Sequence, residues 1–97
     1  MAGYGYIVVE ITVTDPAAYQ EYAKLVPATL APYGGEYIVR GGAVETLEGD
    51  WKPQRFVVVR FESVTRAKAW LNSAEYAPVR QMRFASAVSH MIVIEGV

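Results

Sequence analysis

The stretch YGGEYIVRGGAVETLEGDWKPQRFVVVRF, residues 33–61, carries two Gly-Gly pairs and a fifth glycine. Such a segment is either a loop that cradles a phosphate or the punctuation of a bent β-hairpin, and the two readings lead to different folds. A phosphate cradle needs a helix N-terminus behind it. Gly41-Gly42 follows an extended run but precedes AVETLEG, which is itself extended. The glycines fit neither G-x-G-x-x-G nor G-x-x-x-x-G-K-[ST], and no lysine stands at the required offset. They are therefore read as backbone devices. Gly34 or Gly35 ends a helix in the left-handed conformation, Gly41-Gly42 makes a bulge or sharp bend, and Gly49-Asp50 turns the chain toward Trp51. Pro53 fixes the approach to the next strand. The runs on either side, residues 36–40 and 55–62, become two strands.

Working outward, YGYIVVEITV (residues 4–13) is rich in β-branched and aromatic side chains and predicts a strand. Ile7, Val9, Ile11 and Val13 share one face; Tyr4, Tyr6, Val8, Glu10 and Thr12 share the other. Asp15 and Pro16 then suit the N-cap and first position of a helix. Tyr19, Tyr22, Ala23, Val26 and Leu30 recur at helical spacing, and Pro27 is expected to kink or divide that helix. Ser63 can cap a helix over residues 64–72 whose buried stripe is Val64, Ala67 and Leu71. Ser73 opens a further helical segment, with Pro78 near its start and Glu75 favourably placed for the helix dipole. A last strand runs over residues 87–95. The order β-α-β-β-α-β is the ferredoxin-like plan: an α+β fold with a four-stranded antiparallel sheet, in one domain over residues 1–97.

In that plan both helices cover one face of the sheet, and the other should be polar in a solitary domain. Here Tyr6 and Val8 on the first strand, and Phe56 and Val58 on the third, make the second face apolar. A copy of the same sheet is the economical cover, so a homodimer through the sheet faces is expected. Glu10 and Arg60 interrupt that face and, on neighbouring strands, are expected to meet as an ion pair. The bulk numbers agree. A 10.7 kDa chain with 53% hydrophobic residues folds to about 5,500 Å² of surface from about 15,500 Å², which leaves a thin core.

A net charge of −1 without a basic block gives no electrostatic footprint for nucleic acid or an anionic membrane. The absence of cysteine removes disulfides, thiolate chemistry and Cys-rich zinc sites. The N-terminal residues lack a basic n-region and no apolar run approaches a membrane span, so a cytoplasmic location is the expectation.

The combination of Gly34-Gly35, Arg40-Gly41-Gly42, Glu48-Gly49, Trp51, Arg55, Phe61 and Ser73-x-Glu75-Tyr76 resembles the small bacterial family called domain of unknown function 1330. The likeness covers nearly the whole chain. It implies a dimeric α/β barrel in which two sheets face each other, and it implies no activity. The wider superfamily includes cofactor-free monooxygenases of aromatic polyketides, lactone isomerases and haem-binding enzymes, which is a likeness of fold alone.

Candidate chemistry is accordingly argued residue by residue. His90, the one histidine, shares its strand face with Val88, Ile92 and Ile94; it is a structural residue, a general acid or base, or, third, a metal or haem ligand. A single histidine without a carboxylate cluster makes a poor metal site, and neither metal nor cofactor is expected. Tyr19, Tyr22 and Tyr76 on the helices, and Trp51 in the loop, have the aromatic bodies and polar tips that suit a planar ligand, or serve packing alone. Arg40, Arg55, Arg80 and Arg83 offer guanidinium forks for an organic anion, or pair with surface glutamates. The expected site has His90 or Tyr22 as acid or base, with Tyr19, Arg40, Trp51, Tyr76 and Arg80 binding a small aromatic or anionic molecule. Cofactor-free proton transfer or oxygenation is the expected chemistry. The alternative is a non-catalytic binding or stress-related dimer.

Overall fold

Alternation sets the sheet. The computed structural model describes residues 3–97, and in it Ile7, Val9 and Ile11 of β1 (Gly5–Val13) are buried while Tyr6, Val8 and Glu10 between them are only half covered. The same period holds in β3 (Arg55–Phe61), where Val57, Val59 and Phe61 go inward. β2 (Glu36–Arg40) and β4 (Ala87–Glu95) complete a four-stranded sheet in the order β2-β3-β1-β4, with every neighbouring pair antiparallel. The chain is thus ferredoxin-like, as expected.

α1 (Pro16–Leu30) starts as its sequence requires, with the Asp15 carboxylate accepting the Ala18 N–H at 3.2 Å and proline in the first turn. It runs undivided through Pro27, so of the two expected outcomes, kink or division, the division does not occur. A proline removes the hydrogen bond to the carbonyl four residues back. Here that carbonyl belongs to Ala23, and it accepts Nη2 of Arg40 at 3.1 Å instead. A 3-10 turn (Ala31–Tyr33), absent from the sequence reading, leads to Gly34, which closes it at φ 70°. Gly41 (φ 71°) bends the chain after β2 while its N–H still reaches the Phe56 carbonyl at 2.9 Å; the register shift itself lies between Tyr37 and Val39.

α2 (Val64–Leu71) is capped by Ser63, whose hydroxyl accepts the Arg66 N–H at 3.1 Å, and α3 (Ala77–Ser86) follows a turn held by the Ser73 hydroxyl. The expected α2 stripe needs a correction. Ala67 and Trp70 are the buried pair, and Val64 and Leu71 are half covered. Trp70 stacks 4.0 Å from the Tyr76 ring, 5.7 Å from Phe61, and donates Nε1–H to Thr29 Oγ1 at 3.0 Å. That single indole ties α1, α2, β3 and the approach to α3 into one core.

All the helices lie on one side, so the molecule is two layers and only 16 Å thick between Cα extremes. The other side of the sheet is bare. Val88, Ile92 and Ile94 are exposed there, and Val8, Phe56 and Val58 are half covered. The accessible surface, 6153 Å², exceeds the roughly 5,500 Å² typical of a monomer of this mass. The expected ion pair between Glu10 and Arg60 does not form. The register sets Glu10 opposite Phe56 and His90, and Arg60 opposite Tyr6. Arg60 instead pairs with Glu36 of β2 at 2.9 Å.

Gly5 tests how closely β1 passes the start of α2. A Cβ added there meets the Ser63 carbonyl and the Val64 nitrogen, both backbone, whereas one added at Gly42 meets nothing. Gly5→Ala is expected to cost about 1–3 kcal/mol in urea unfolding, and Gly42→Ala to change stability by less than about 1 kcal/mol. Equal midpoints for the two variants would show that the strand does not seat against the cap as described.

Candidate functional site

The inward side chains of the sheet and the inner face of α1 enclose a narrow cleft. Tyr19, Tyr22 and Val26 descend from the helix, Val57 and Val59 form the floor, and Tyr37, Arg40 and Arg55 stand at the β2–β3 side. Its interior space is about 30 Å³, enough for a water or two. Tyr19, Ala23 and Arg55 also border an open outer groove of about 400 Å³, lined further by Pro16, Gln20 and Gln54.

Two guanidinium groups form the rim. Arg40 lies over the Tyr37 ring at 4.5 Å, anchored by the Ala23 carbonyl that Pro27 leaves free. Arg55 lies 5.4 Å over the Tyr19 ring and donates Nε–H to the Tyr19 hydroxyl at 3.3 Å. A side chain at residue 41 would collide with the Arg55 guanidinium. Gly41 therefore serves both the bend and the position of the arginine, a sequence signal legible only after the fold is known. Among the described residues neither arginine has a carboxylate partner.

Deeper in, hydroxyls form a chain. Tyr22 and Tyr76 hydroxyls lie 2.7 Å apart, and Arg83 Nη1 donates to the Tyr76 oxygen at 2.8 Å. A guanidinium is donor only, so Tyr76 accepts from Arg83; either hydroxyl can donate in the Tyr22–Tyr76 bond, and where Tyr76 donates, the Tyr22 O–H is free to point at the cleft. Burial pushes the Tyr22 phenol above its usual value, an effect that its hydrogen bond to Tyr76 and the Arg83 charge only partly offset. Burial also raises Tyr76, with the neighbouring Tyr22 adding to it, and takes Tyr37 up to about 12 despite the Arg40 charge. Burial thus favours the protonated, donor form of these phenols.

The other expected site residues lie elsewhere. His90 is on the bare face of the sheet with a side chain 79% exposed, and its Nδ1 is 3.5 Å from Glu10 Oε1. Trp51, 62% exposed, lies on that face too; its Nε1–H donates to Glu10 Oε2 at 2.6 Å and its ring meets Phe56 edge-on at 5.4 Å. The sheet thus separates His90 and Trp51 from Tyr19, Tyr22 and Arg40. Tyr76 is fully buried behind Tyr22, and Arg80 lines a different cleft beside α3. Sequence reading listed Arg55 as a fork without placing it at the mouth, and it passed over Tyr37. Among the described residues no group of three or more His, Asp or Glu side chains is arranged to hold a metal ion, and no helix is long and apolar enough to cross a membrane.

Comparison with solved structures places this geometry on a shared fold. A protein of unknown function from Rhodopseudomonas palustris superposes with a TM-score of 0.81 at 15% identity, over 100% of this chain and 85% of that one. A dimeric protein of unknown function with a ferredoxin-like fold from Bacteroides fragilis gives 0.65 at 11% identity, over 97% of each chain. SnoaB, a cofactor-independent oxygenase from Streptomyces nogalater, gives 0.58 at 16% identity, over 99% of this chain and 95% of that one. At such identities the likeness is one of fold. No curated protein matches the sequence. The family described as Domain of unknown function (DUF1330) matches residues 4–97, and the chain belongs to that family.

Proposed function

We propose that two copies of this chain pack bare sheet face to bare sheet face, and that each protomer binds a small, planar organic anion between α1 and the β2–β3 half of its sheet. The homodimer is supported by the apolar face described above and by the dimeric relative from Bacteroides fragilis. The ligand reading is carried by one observation: Arg40 and Arg55, neither with a carboxylate partner, lie against tyrosine rings at the rim of an apolar cleft. Guanidinium forks in that setting recognise a carboxylate or enolate bidentately, and the tyrosine faces suit a flat body.

The cleft supplies Arg40, Arg55 and Tyr22 as hydrogen-bond donors. Such a donor set stabilises negative charge on a bound oxygen, and it supports charge stabilisation better than proton abstraction. SnoaB carries cofactor-independent oxygenation on the same fold. In the catalytic version here, the ligand enters as an enolate or phenolate and the donors hold its oxygen while it reacts. The second reading is binding without reaction. It is favoured by an interior of about 30 Å³, which holds a water or two and leaves the ligand in the outer groove, away from Tyr22. Under either reading the outer groove and the Arg55–Tyr19 contact at its base admit the ligand.

Native mass spectrometry of freshly purified protein is expected to show a dimer retaining a small metabolite. Titration with 4-hydroxybenzoate is expected to show binding that Arg55→Gln weakens by about tenfold to a hundredfold, the loss of a charge-assisted hydrogen bond worth about 1.5–3 kcal/mol. Equal affinity in the variant excludes the cleft. The tyrosine assignment has its own test in alkali. Because the folded state holds the Tyr22, Tyr37 and Tyr76 protons more tightly than the unfolded chain, their contribution to stability is constant below about pH 10 and is lost as pH rises beyond it. Three of the seven tyrosines are expected to withhold phenolate absorbance at 295 nm until the far-ultraviolet circular dichroism is lost. All seven ionising near pH 10 in a folded protein would refute the buried donor chain.

A further inference from the structure

A second cleft, of about 380 Å³, lies between α2, α3 and the outer strand β4, and the function proposed above does not use it. Its floor is aliphatic, made by Ile7, Leu71, Met91 and Val93. Its polar lining is Lys68, Asn72, Arg80 and Arg83, three cations and an amide without a carboxylate. Arg80 and Arg83 stand three residues apart on α3, the spacing that puts two side chains on one helix face.

Arg83 is the unusual member. It is only 3% exposed, and among the described residues its guanidinium makes a single hydrogen bond, from Nη1 to the Tyr76 hydroxyl. Its Nε, and that of Arg80, are buried without a partner. Among the described residues none of the three cations forms an ion pair. The Phe84 ring sits 5.1 Å from the Arg83 guanidinium and 5.4 Å from that of Arg80, but an aromatic face attracts a cation without neutralising it. A guanidinium carries five donors and no acceptor. Buried without a counter-charge and beside a second cation, it keeps the desolvation cost of its charge uncompensated. An anion seated in the cleft removes both penalties.

We propose that this cleft binds an aliphatic carboxylate, its head between Arg80 and Arg83 with Lys68 at the rim, and its alkyl body along Leu71, Met91 and Val93. The cleft falls in the size range of small-molecule sites, and the planar forks match a carboxylate. The aliphatic floor selects an amphiphile over a compact inorganic anion, because a fully hydrated ion gains nothing from Met91 or Val93.

The probe is hexanoate, titrated into the intact protein and followed in ¹⁵N–¹H spectra that include the arginine Nε–H signals. Shifts are expected at Lys68, Asn72, Arg80, Met91 and Val93, with movement of the Arg83 Nε–H. Hexanamide is expected to bind at least tenfold more weakly. The double variant Lys68→Gln/Arg80→Gln, at positions outside the buried core, is expected to retain the native spectrum and lose at least tenfold in hexanoate affinity. Arg55→Gln is expected to leave hexanoate binding intact, which separates this cleft from the one beneath α1. The proposal is overturned by shifts confined to Gly41 and Arg55, by hexanamide binding as tightly, by inorganic phosphate binding more tightly, or by no saturable shift at all.

Discussion

The structure depends on one constraint: a four-stranded sheet has two apolar faces and its own helices cover only one. Alternation along β1 and β3 sends Ile7, Val9, Val57 and Val59 toward the helices and Tyr6, Val8, Phe56 and Val58 away from them. Apolar area left in water forgoes about 25 cal/mol per Å². A second sheet laid on the first, as proposed above, would recover it. Trp51 and His90 belong to that surface, both tied to Glu10. In the proposed dimer they would lie at the junction of the two chains.

On the covered face, irregular backbone creates the polar features of an otherwise apolar interior. Pro27 withholds an N–H, the Ala23 carbonyl is freed, and Arg40 is fastened to it. Gly41 lacks a side chain, and Arg55 fills the space. The tyrosines between them stay protonated because burial disfavours the phenolate. The result is a cleft rich in donors. The proposed anion site rests on that composition.

Much of the fold was legible because it rests on local rules. Period-two runs gave the strands, Asp15-Pro16 and Ser63 gave the helix starts, and the bare apolar face followed from Val8, Phe56 and Val58. What failed was long-range. No tight turn joins β1 to β3, so nothing local fixes their register, and the Glu10–Arg60 pair assumed one the sheet does not adopt. The same limit applies to the site. Sequence grouped His90 and Trp51 with Tyr22, but which side of a sheet a loop returns to is not written in its residues, and residues 42–54 bring Trp51 back on the bare side. Trp70 was missed for a smaller reason. Val64, Ala67 and Leu71 fit helical spacing, yet Ala67 and Trp70 fit it equally, and only packing against Phe61 and Tyr76 decides which is inside.

Sedimentation velocity across micromolar concentrations tests the central claim most directly, run on the wild type beside Val58→Lys/Ile92→Lys. The wild type should sediment as a species of twice the 10.7 kDa chain mass, and the two lysines should break it into single chains or unfold it. A wild type that remains a folded single chain throughout that range would contradict the account, since the bare face would then need no cover.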